Sequence, residues 1–139
     1  MTATVLAPLS SAEPTADLRS AIAAKRGSCP ALRADPVLDG VAQRANLETQ
    51  HYVQGIARFQ PMEDPMPMLK RLSYPAGKAK LLAGFADASR EDGQQRAIHG
   101  ATLFGWEAIP DCTYNRYGAD VVTDPKTGNT TAAILLAGD

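Results

Sequence analysis

The chain has 139 residues with 14 basic and 15 acidic side chains, so its formal charge is −1. This balance excludes the strongly basic surface by which nucleic-acid-binding proteins hold phosphates. No apolar run is long enough to cross a bilayer as a helix, so no membrane span is expected. The length fits one domain with a real hydrophobic core.

The N-terminal segment, residues 1–14, is small and apolar and contains no Lys or Arg. It lacks the basic start of a full signal peptide. We expect a flexible leader, or the remnant of a signal peptide that has been removed. Residues 15–139 are expected to form a single domain.

The first predicted helix begins at Thr15, whose hydroxyl is placed to cap it. Lys25 and Arg26 fall in its last turn, where cations interact favourably with the helix dipole. Gly27 follows at the position where a helix commonly ends.

The second predicted helix has the clearest signals. Asp35 is a suitable N-cap, and Pro36 fits the first helical position. Gly55 falls where the helix should end. From the start of this helix, apolar or small residues recur at helical spacing: Leu38, Val41, Ala42, Ala45, Thr49, Tyr52, Val53 and Ile56.

The middle of the chain gives weaker signals. Asp64 and Pro65 predict the start of a short third helix. The apolar run 80–85 is compatible with a strand or a buried turn. Residues 89–92 resemble a capping box before a fourth helix. Gly100 weakens that helix, so close packing against a neighbouring element is expected.

Two β segments close the chain. Residues 117–123 and 130–137 are rich in Val, Thr, Ile and Leu, and Pro, Gly and Asn between them are typical of a hairpin loop. The second segment is almost continuously apolar, so it is predicted to be central in its sheet.

Two cysteines, Cys29 and Cys112, lie far apart in the sequence. Their spacing matches neither a redox pair nor a zinc motif. Spacing alone leaves two alternatives: two buried thiols, or one disulfide that joins the end of the first helix to the last β unit.

The order of four short motifs resembles the CAP superfamily (cysteine-rich secretory, antigen 5 and pathogenesis-related 1 proteins). The motifs are Gly-x-Cys-Pro-Ala-Leu at 27–32, Asp-Pro-x-Leu at 35–38, Gly-Trp-x-x-Ile-x-x-Cys at 105–112 and Tyr-Gly-Ala-Asp-Val-Val at 117–122. The resemblance extends over residues 18–137. It is strongest to the short CAP-like secreted proteins of mycobacteria and related actinobacteria.

This resemblance implies an α/β fold of the CAP-like type: an α-β-α sandwich with helices first and a closing antiparallel β-hairpin. It also implies a Cys29–Cys112 disulfide and a location outside the cytoplasm, secreted or in the cell envelope.

Typical CAP proteins share a cleft with two His and two Glu that can hold a divalent metal, and this chain departs from that pattern. The first His would fall within 55–59, which reads GIARF, and the first Glu within 78–84, which reads KAKLLAG. No His lies between Gly100 and Cys112. The tetrad therefore cannot be carried over, and neither a metal nor another cofactor is expected.

The candidate metal ligands that remain are Glu48, His51 and His99. Glu48 and His51 are three residues apart, so they share a helix face. A di-metal helical site would need a second Glu-x-x-His pair, and His99 has Arg96 at that position. The simpler interpretation is that these are ordinary helix residues, and no catalytic residue is assigned.

Three further possibilities stay open. A rebuilt hydrolytic or metal site would draw on Glu48, His51, His99 and Glu107. A haem carrier would use His99. A copper carrier would use the clustered methionines, since thioethers suit Cu(I): Met62, Met66 and Met68.

The aromatic side chains are expected to be mostly core, with Trp106 packed beside the two cysteines. Some of them are expected to line an apolar pocket of the kind that takes a small lipid-like ligand. The leading hypothesis is an exported, non-enzymatic domain that binds a lipid-like small molecule or an envelope protein.

Overall fold

The computed structural model describes residues 12–55 and 61–139. Residues 1–11, most of the predicted leader, lie outside the described residues. The elements in chain order are α1 (Ala12–Lys25), β1 (Arg33–Ala34), α2 (Pro36–Val53), α3 (Met66–Arg71), β2 (Lys78–Ala86), α4 (Gly93–Phe104), β3 (Arg116–Thr123) and β4 (Thr130–Gly138).

The strands form one four-stranded sheet in the order β1-β3-β4-β2. β3 and β4 are the predicted closing hairpin, and β2 pairs antiparallel with the other side of β4. Every residue of β4 is buried, which confirms its predicted central position. The ambiguous run 80–85 belongs to strand β2.

Helices cover both faces of the sheet. Leu18 of α1 and Ala97 of α4 pack in one core with the odd-numbered side chains of β3. On the opposite face, Leu38 of α2 and Leu69 of α3 pack against Leu135 of β4. The architecture is therefore the expected α-β-α sandwich.

Asp35 caps α2 as predicted, because its carboxylate accepts a hydrogen bond from the Val37 N–H at 2.9 Å. Asp64 acts similarly before α3, accepting from the Met66 N–H at 3.0 Å. That helix has only six residues, so this bond organises a single turn and a half.

Two predicted helix caps are wrong. α1 already begins at Ala12, and the Thr15 hydroxyl instead accepts a hydrogen bond from the Val121 N–H of β3 at 3.1 Å. The predicted capping box before α4 does not form either. Ser89 donates to Asp87, and α4 starts only after Asp92, which makes no side-chain cap bond.

The exposed edge of β3 is protected by side chains. β1 pairs with β3 only at Arg116 and Tyr117. Further along, Asp39 of α2 accepts a hydrogen bond from the Ala119 N–H at 3.0 Å, and the Thr15 bond follows at Val121. These two backbone N–H groups on the β3 edge are therefore hydrogen-bonded within the protein and are not free to pair with another strand.

Arg26 is buried, which corrects its interpretation as a helix-end cation. Its guanidinium donates to four carbonyl oxygens, at 2.7 to 3.0 Å, and is only 5% exposed. Burial lowers the pKa of this guanidinium. The acceptors belong to Pro30, Ile109, Asp111 and Tyr114.

The Cys29–Cys112 disulfide is present, with a Cα–Cα distance of 5.2 Å. It joins the same two segments that Arg26 joins. We call Arg26, this disulfide and segment 109–114 the disulfide corner. It fastens the end of α1 to the chain leading into β3.

The prediction that aromatic residues are mostly core is only partly right. Tyr114 and Tyr117 are buried, but Phe104 is 70% exposed and Trp106 is 68% exposed. Trp106 is therefore not packed beneath the disulfide, because the turn after α4 directs it to solvent. Phe59 lies outside the described residues.

The close packing expected around Gly100 occurs where α4 crosses β2. A Cβ on Gly84 of β2 would come within 1.9 Å of the Ala97 carbonyl oxygen, and Gly100 faces Gly84. A second close approach lies on the other face, where a Cβ on Gly118 would meet the Leu38 carbonyl carbon at 2.1 Å. Glycine at these positions lets helices contact the sheet backbone.

We expect Gly118→Ala to lower the free energy of unfolding by about 2–3 kcal/mol, since backbone rather than a flexible side chain blocks the new methyl. Gly40→Ala is the matched control. Gly40 lies within α2 with nothing within 4 Å of its Cβ position, so alanine should stabilise by about 0.5–1 kcal/mol. Urea unfolding measures both. Equal effects would contradict the close contact between α2 and β3.

Candidate functional site

Glu48 and His51 lie in α2, as predicted, but their side chains have different neighbours. One Glu48 oxygen accepts a hydrogen bond from the Met62 N–H at 2.9 Å, and the other accepts from Arg44 Nε at 3.4 Å. His51 is half-buried and lines a pocket toward β3. The Glu48 carboxylate therefore fastens the segment at 62 to α2.

His99 lies in α4, on the opposite face of the sheet from His51, and it is exposed. Glu107 is exposed in the turn after α4. With the two histidines in separate helical layers, they are not brought together around one metal ion, whose ligand bonds are only about 2 Å long. Within residues 12–55 and 61–139, no three His, Cys, Asp or Glu side chains cluster as metal ligands.

The three methionines of the copper hypothesis are used in packing. Met62, Met66 and Met68 are partly buried against the cluster formed by Leu38 and Leu69. Thioether side chains often fill irregular gaps of this kind.

A first cavity, the α2–β2 cleft, opens between the C-terminal half of α2, segment 61–63 and β2. Its volume is about 370 Å³, within the range of small-molecule sites. Aliphatic groups dominate its wall, and Glu63 is the one acidic side chain among its described lining residues. These are Ala45, Asn46, Thr49, Tyr52, Pro61, Met62, Glu63, Leu81, Ala83 and Ala133.

A second cavity, the α2–β3 pocket, lies on the other side of α2 and has a volume of about 520 Å³. Its wall combines apolar and polar groups, among them His51, Gln50 and Asp120. Its mouth is formed by the loop between β3 and β4. The described lining residues are Gln43, Leu47, Gln50, His51, Gln54, Asp120, Val122, Asp124, Pro125 and Lys126.

A buried polar pair contributes one residue to the wall of each cavity, Asn46 to the first and Asp120 to the second, and the sequence interpretation missed it. Asn46 is 2% exposed and Asp120 is 6% exposed. The Asn46 amide donates to both the carboxylate and the carbonyl oxygen of Asp120, each at 2.9 Å. A signal was available, because Asn46 and Gln50 interrupt the apolar face of the second predicted helix.

No protein-family model matches the sequence, and no curated protein matches it. Solved structures similar in fold include a cysteine-rich secretory protein of Staphylococcus aureus, with a TM-score of 0.68 over 100% of this chain at 11% sequence identity. The fold is of the CAP-like type. An outer surface protein of Borrelia burgdorferi is also similar, with a TM-score of 0.61 over 99% of this chain at 14% identity.

This chain spans 42% of the Staphylococcus aureus chain and 98% of the Borrelia burgdorferi chain. At such low identities the likeness concerns the CAP-like fold. Within the described residues, no helix combines the length and apolar character needed to cross a bilayer.

One of the stretches in which the sequence resemblance would place a tetrad residue lies at the α2–β2 cleft. The stretch that would carry the first Glu contributes Leu81 and Ala83 to its wall. Of the stretch that would carry the first His, Gly55 is described, and residues 56–60 lie outside the described residues. On the β2 side, the cleft has aliphatic side chains where an acid would be needed.

Proposed function

We propose that this protein is an exported CAP-like domain that acts by binding, without catalysis, and that it takes a lipid-like small molecule in the α2–β2 cleft. The observation that carries the proposal is the aliphatic wall that Leu81, Ala83 and Ala133 form in this cleft. Binding of an apolar ligand against such a wall is favourable, because it removes apolar surface from water. The wall offers no acid on β2 for general acid–base or metal chemistry.

Export is supported by two independent features. Disulfides persist in oxidising compartments outside the cytoplasm, and this chain contains Cys29–Cys112. The proteins of similar fold are described as secretory in one case and as an outer surface protein in the other. Export is also consistent with the motif order, which resembles that of the short CAP-like secreted proteins of mycobacteria and related actinobacteria.

Binding of an envelope protein is the second candidate. It is favoured by three large apolar side chains at and just after the end of α4, the patch around Trp106: Leu103, Phe104 and Trp106 are 55%, 70% and 68% exposed. Large exposed aromatic side chains of this kind are typical of protein-interaction surfaces.

The cleft proposal is tested by titrating the protein with octanol, a neutral lipid-like probe, and following backbone amide resonances by NMR. We expect saturable shifts centred on Leu81, Ala83 and Tyr52. Ala83→Glu should weaken octanol binding about tenfold or more, because it places a carboxylate against the alkyl chain. Ala83 is exposed on its strand, so the variant should still fold.

Gln94→Glu is the matched control, since it adds the same charge at an exposed site on α4, in the opposite layer. It should leave octanol binding unchanged. If octanol produced no saturable shifts, or bound both variants equally, the lipid-like ligand in this cleft would be rejected, and the patch around Trp106 would become the leading site.

A further inference from the structure

The two sides of the sheet differ in how their outer strands are protected. On one side β1 pairs with the start of β3, and helix side chains bond to the N–H groups of Ala119 and Val121. On the other side β2 is the outermost strand. It is nine residues long, contains no Pro and pairs with β4 without interruption. A long, regular edge strand of this kind is able to pair with a further strand.

The register of the sheet shows which backbone groups of β2 point outward. Because the Val121 N–H points to the outer side of β3, the next residue, Val122, faces Thr131 of β4. The even-numbered residues of β4 therefore face β2, as Gly138 does when its carbonyl accepts from the Gly77 N–H. Even-numbered residues of β2 bond to β4, and the odd-numbered ones form what we call the free edge of β2: Ala79, Leu81, Ala83 and Phe85.

The free edge of β2 is open. Within residues 12–55 and 61–139, no other group bonds to these outward N–H and C=O groups. Ala83 and Phe85 also have exposed side chains, and Phe85 is 43% exposed. Lys78, at the start of the strand, is turned toward Asp111 at 3.6 Å and the ring of Tyr114, whose segment lies against β4. Its ammonium therefore does not cover the free edge.

Helix α4 places an apolar residue beside this edge. The helix crosses β2 where Gly100 meets Gly84. Phe104 follows Gly100 by one turn and lies on the same side of the helix, yet it is 70% exposed. Gly105 comes next, and a Cβ there would lie 2.6 Å from Leu82 Cδ1, at the middle of β2. Phe104 therefore overhangs the free edge near the midpoint of the strand.

The free edge of β2 is complementary to itself in one antiparallel register. With Leu82 on a two-fold axis, Ala79 pairs with Phe85 of a second copy, and Leu81 pairs with its Ala83. All four outward residues of each copy then have partners, and each pair exchanges two N–H···O=C bonds. A large side chain faces a small one in every pair, so the side chains fit on that face of the sheet.

The same register keeps like charges apart. Lys80 lies opposite Gly84 of the second copy, and Lys78 lies opposite its Ala86, so no lysine faces another. Sliding the copies by four residues toward the start of the strand would place Lys80 against Lys80, which is unfavourable. The charges therefore favour the register in which the whole free edge is paired.

The exposed apolar area is of the size that a dimer needs. Aromatic side chains bury about 150–250 Å² each, so the exposed fractions of Phe85, Phe104 and the adjoining Trp106, 43%, 70% and 68%, amount to roughly 300–450 Å². A standard interface buries about 800 Å² per partner. The nine-residue strand edge adds most of the rest.

We propose that the free edge of β2 binds the free edge of a second copy of this protein, antiparallel and with Leu82 at the axis, so that the two sheets become one continuous sheet. Such an interface is symmetric, because the same surface is used by both subunits. The proposal does not rest on the lipid-like ligand. Since Ala83 lies at both sites, the variants that test the dimer avoid it.

Sedimentation velocity over a wide range of protein concentrations tests self-association, and hydrogen exchange followed by NMR locates it. We expect a reversible monomer–dimer equilibrium. The four amides of the free edge should become protected as the dimer forms, while amides in the middle of β4 are protected in both states. A monomer at every concentration would overturn the proposal. A dimer in which the four edge amides exchange as fast as in the monomer would also overturn it.

Phe85→Pro removes one outward N–H together with an exposed ring, and it should raise the dissociation constant of the dimer at least tenfold. Proline is tolerated on an edge strand where its nitrogen faces solvent, so the monomer should still fold. Phe85→Val is the matched control, because it keeps the N–H and suits a strand. Its dissociation constant should rise less than that of Phe85→Pro. An unchanged dimer in Phe85→Pro would contradict edge pairing.

Phe104→Glu keeps the test valid if the proline variant does not fold. It brings two like charges near the axis and should also raise the dissociation constant at least tenfold. Leu47→Glu adds the same charge at another apolar position, 49% exposed on α2 in the opposite layer, and should leave the dimer unchanged. Equal dissociation constants for Phe104→Glu and Leu47→Glu would contradict the proposed interface.

A nitroxide label at Lys80→Cys tests the register, since Lys80 is exposed. Four residues along the strand and one inter-strand spacing separate the two labelled Cα atoms by about 14 Å. Electron-spin distance measurements on the dimer should give a single short separation consistent with this value. Labels too far apart to couple would show that the copies meet elsewhere and would overturn the proposal.

Discussion

Reducing the Cys29–Cys112 disulfide is expected to lower the free energy of unfolding by about 4–5 kcal/mol. The bridge spans a sequence separation of 83, so the reduced unfolded chain regains the entropy of a long closed loop. For a chain of this length, the corresponding fall in Tm is about 10–20 °C.

Calorimetry with and without a phosphine reductant measures this effect, with thiol titration to confirm that both cysteines are free. The double variant Cys29→Ala/Cys112→Ala should melt near the reduced protein, and the reductant should not change it further. An unchanged Tm after complete reduction would show that the disulfide corner does not depend on the bridge.

Replacing Arg26 is expected to have an effect of similar size. Arg26→Met removes four hydrogen bonds to carbonyl oxygens and leaves buried acceptors without donors, for a loss of about 3–5 kcal/mol. Arg26→Lys should recover only part of this, since one ammonium cannot reproduce the planar fork of donors.

Lys25→Met is the control, because Lys25 is the adjacent basic residue and is exposed. Its effect should stay within about 0.5 kcal/mol. Urea unfolding of the three variants under oxidising conditions separates Arg26 from the disulfide. A loss in Arg26→Met no larger than that in Lys25→Met would contradict the structural role of the buried guanidinium.

Elements with local signals could be predicted from the sequence. The Asp35 cap and the apolar periodicity after it determine α2 with little help from the rest of the molecule. The burial of β4 follows from its continuous apolar run. Ser89 shows where local signals fail, because α4 begins only after Asp92 and the Ser89 hydroxyl donates to Asp87 instead.

Arg26 could not be placed from sequence because a helix-end cation and a buried donor look alike locally. Its acceptors lie more than eighty residues away in three of four cases, and only the fold gathers them. The prediction for Trp106 was wrong in the opposite direction. Its type suggested burial, but the turn after α4 directs it outward.

The candidate site was only partly predictable for the same reason. The missing tetrad was visible as GIARF and KAKLLAG, and it directed attention to residues 78–84, which contribute Leu81 and Ala83 to the α2–β2 cleft. The α2–β3 pocket depends on Gln50 and Asp120, which come together only when α2 crosses β3. The interruption of an apolar helix face by Asn46 and Gln50 was the one local sign of it.

The proposed ligand of the α2–β2 cleft is an apolar molecule and not a metal ion. A crystal structure of protein soaked with octanol and Zn²⁺, with an anomalous scan at the zinc edge, tests it most directly. We expect octanol in the α2–β2 cleft against Leu81 and Ala83, and no anomalous peak in that cleft. A zinc peak in that cleft, or one bound by Glu48 or His51, with octanol absent, would contradict the claim.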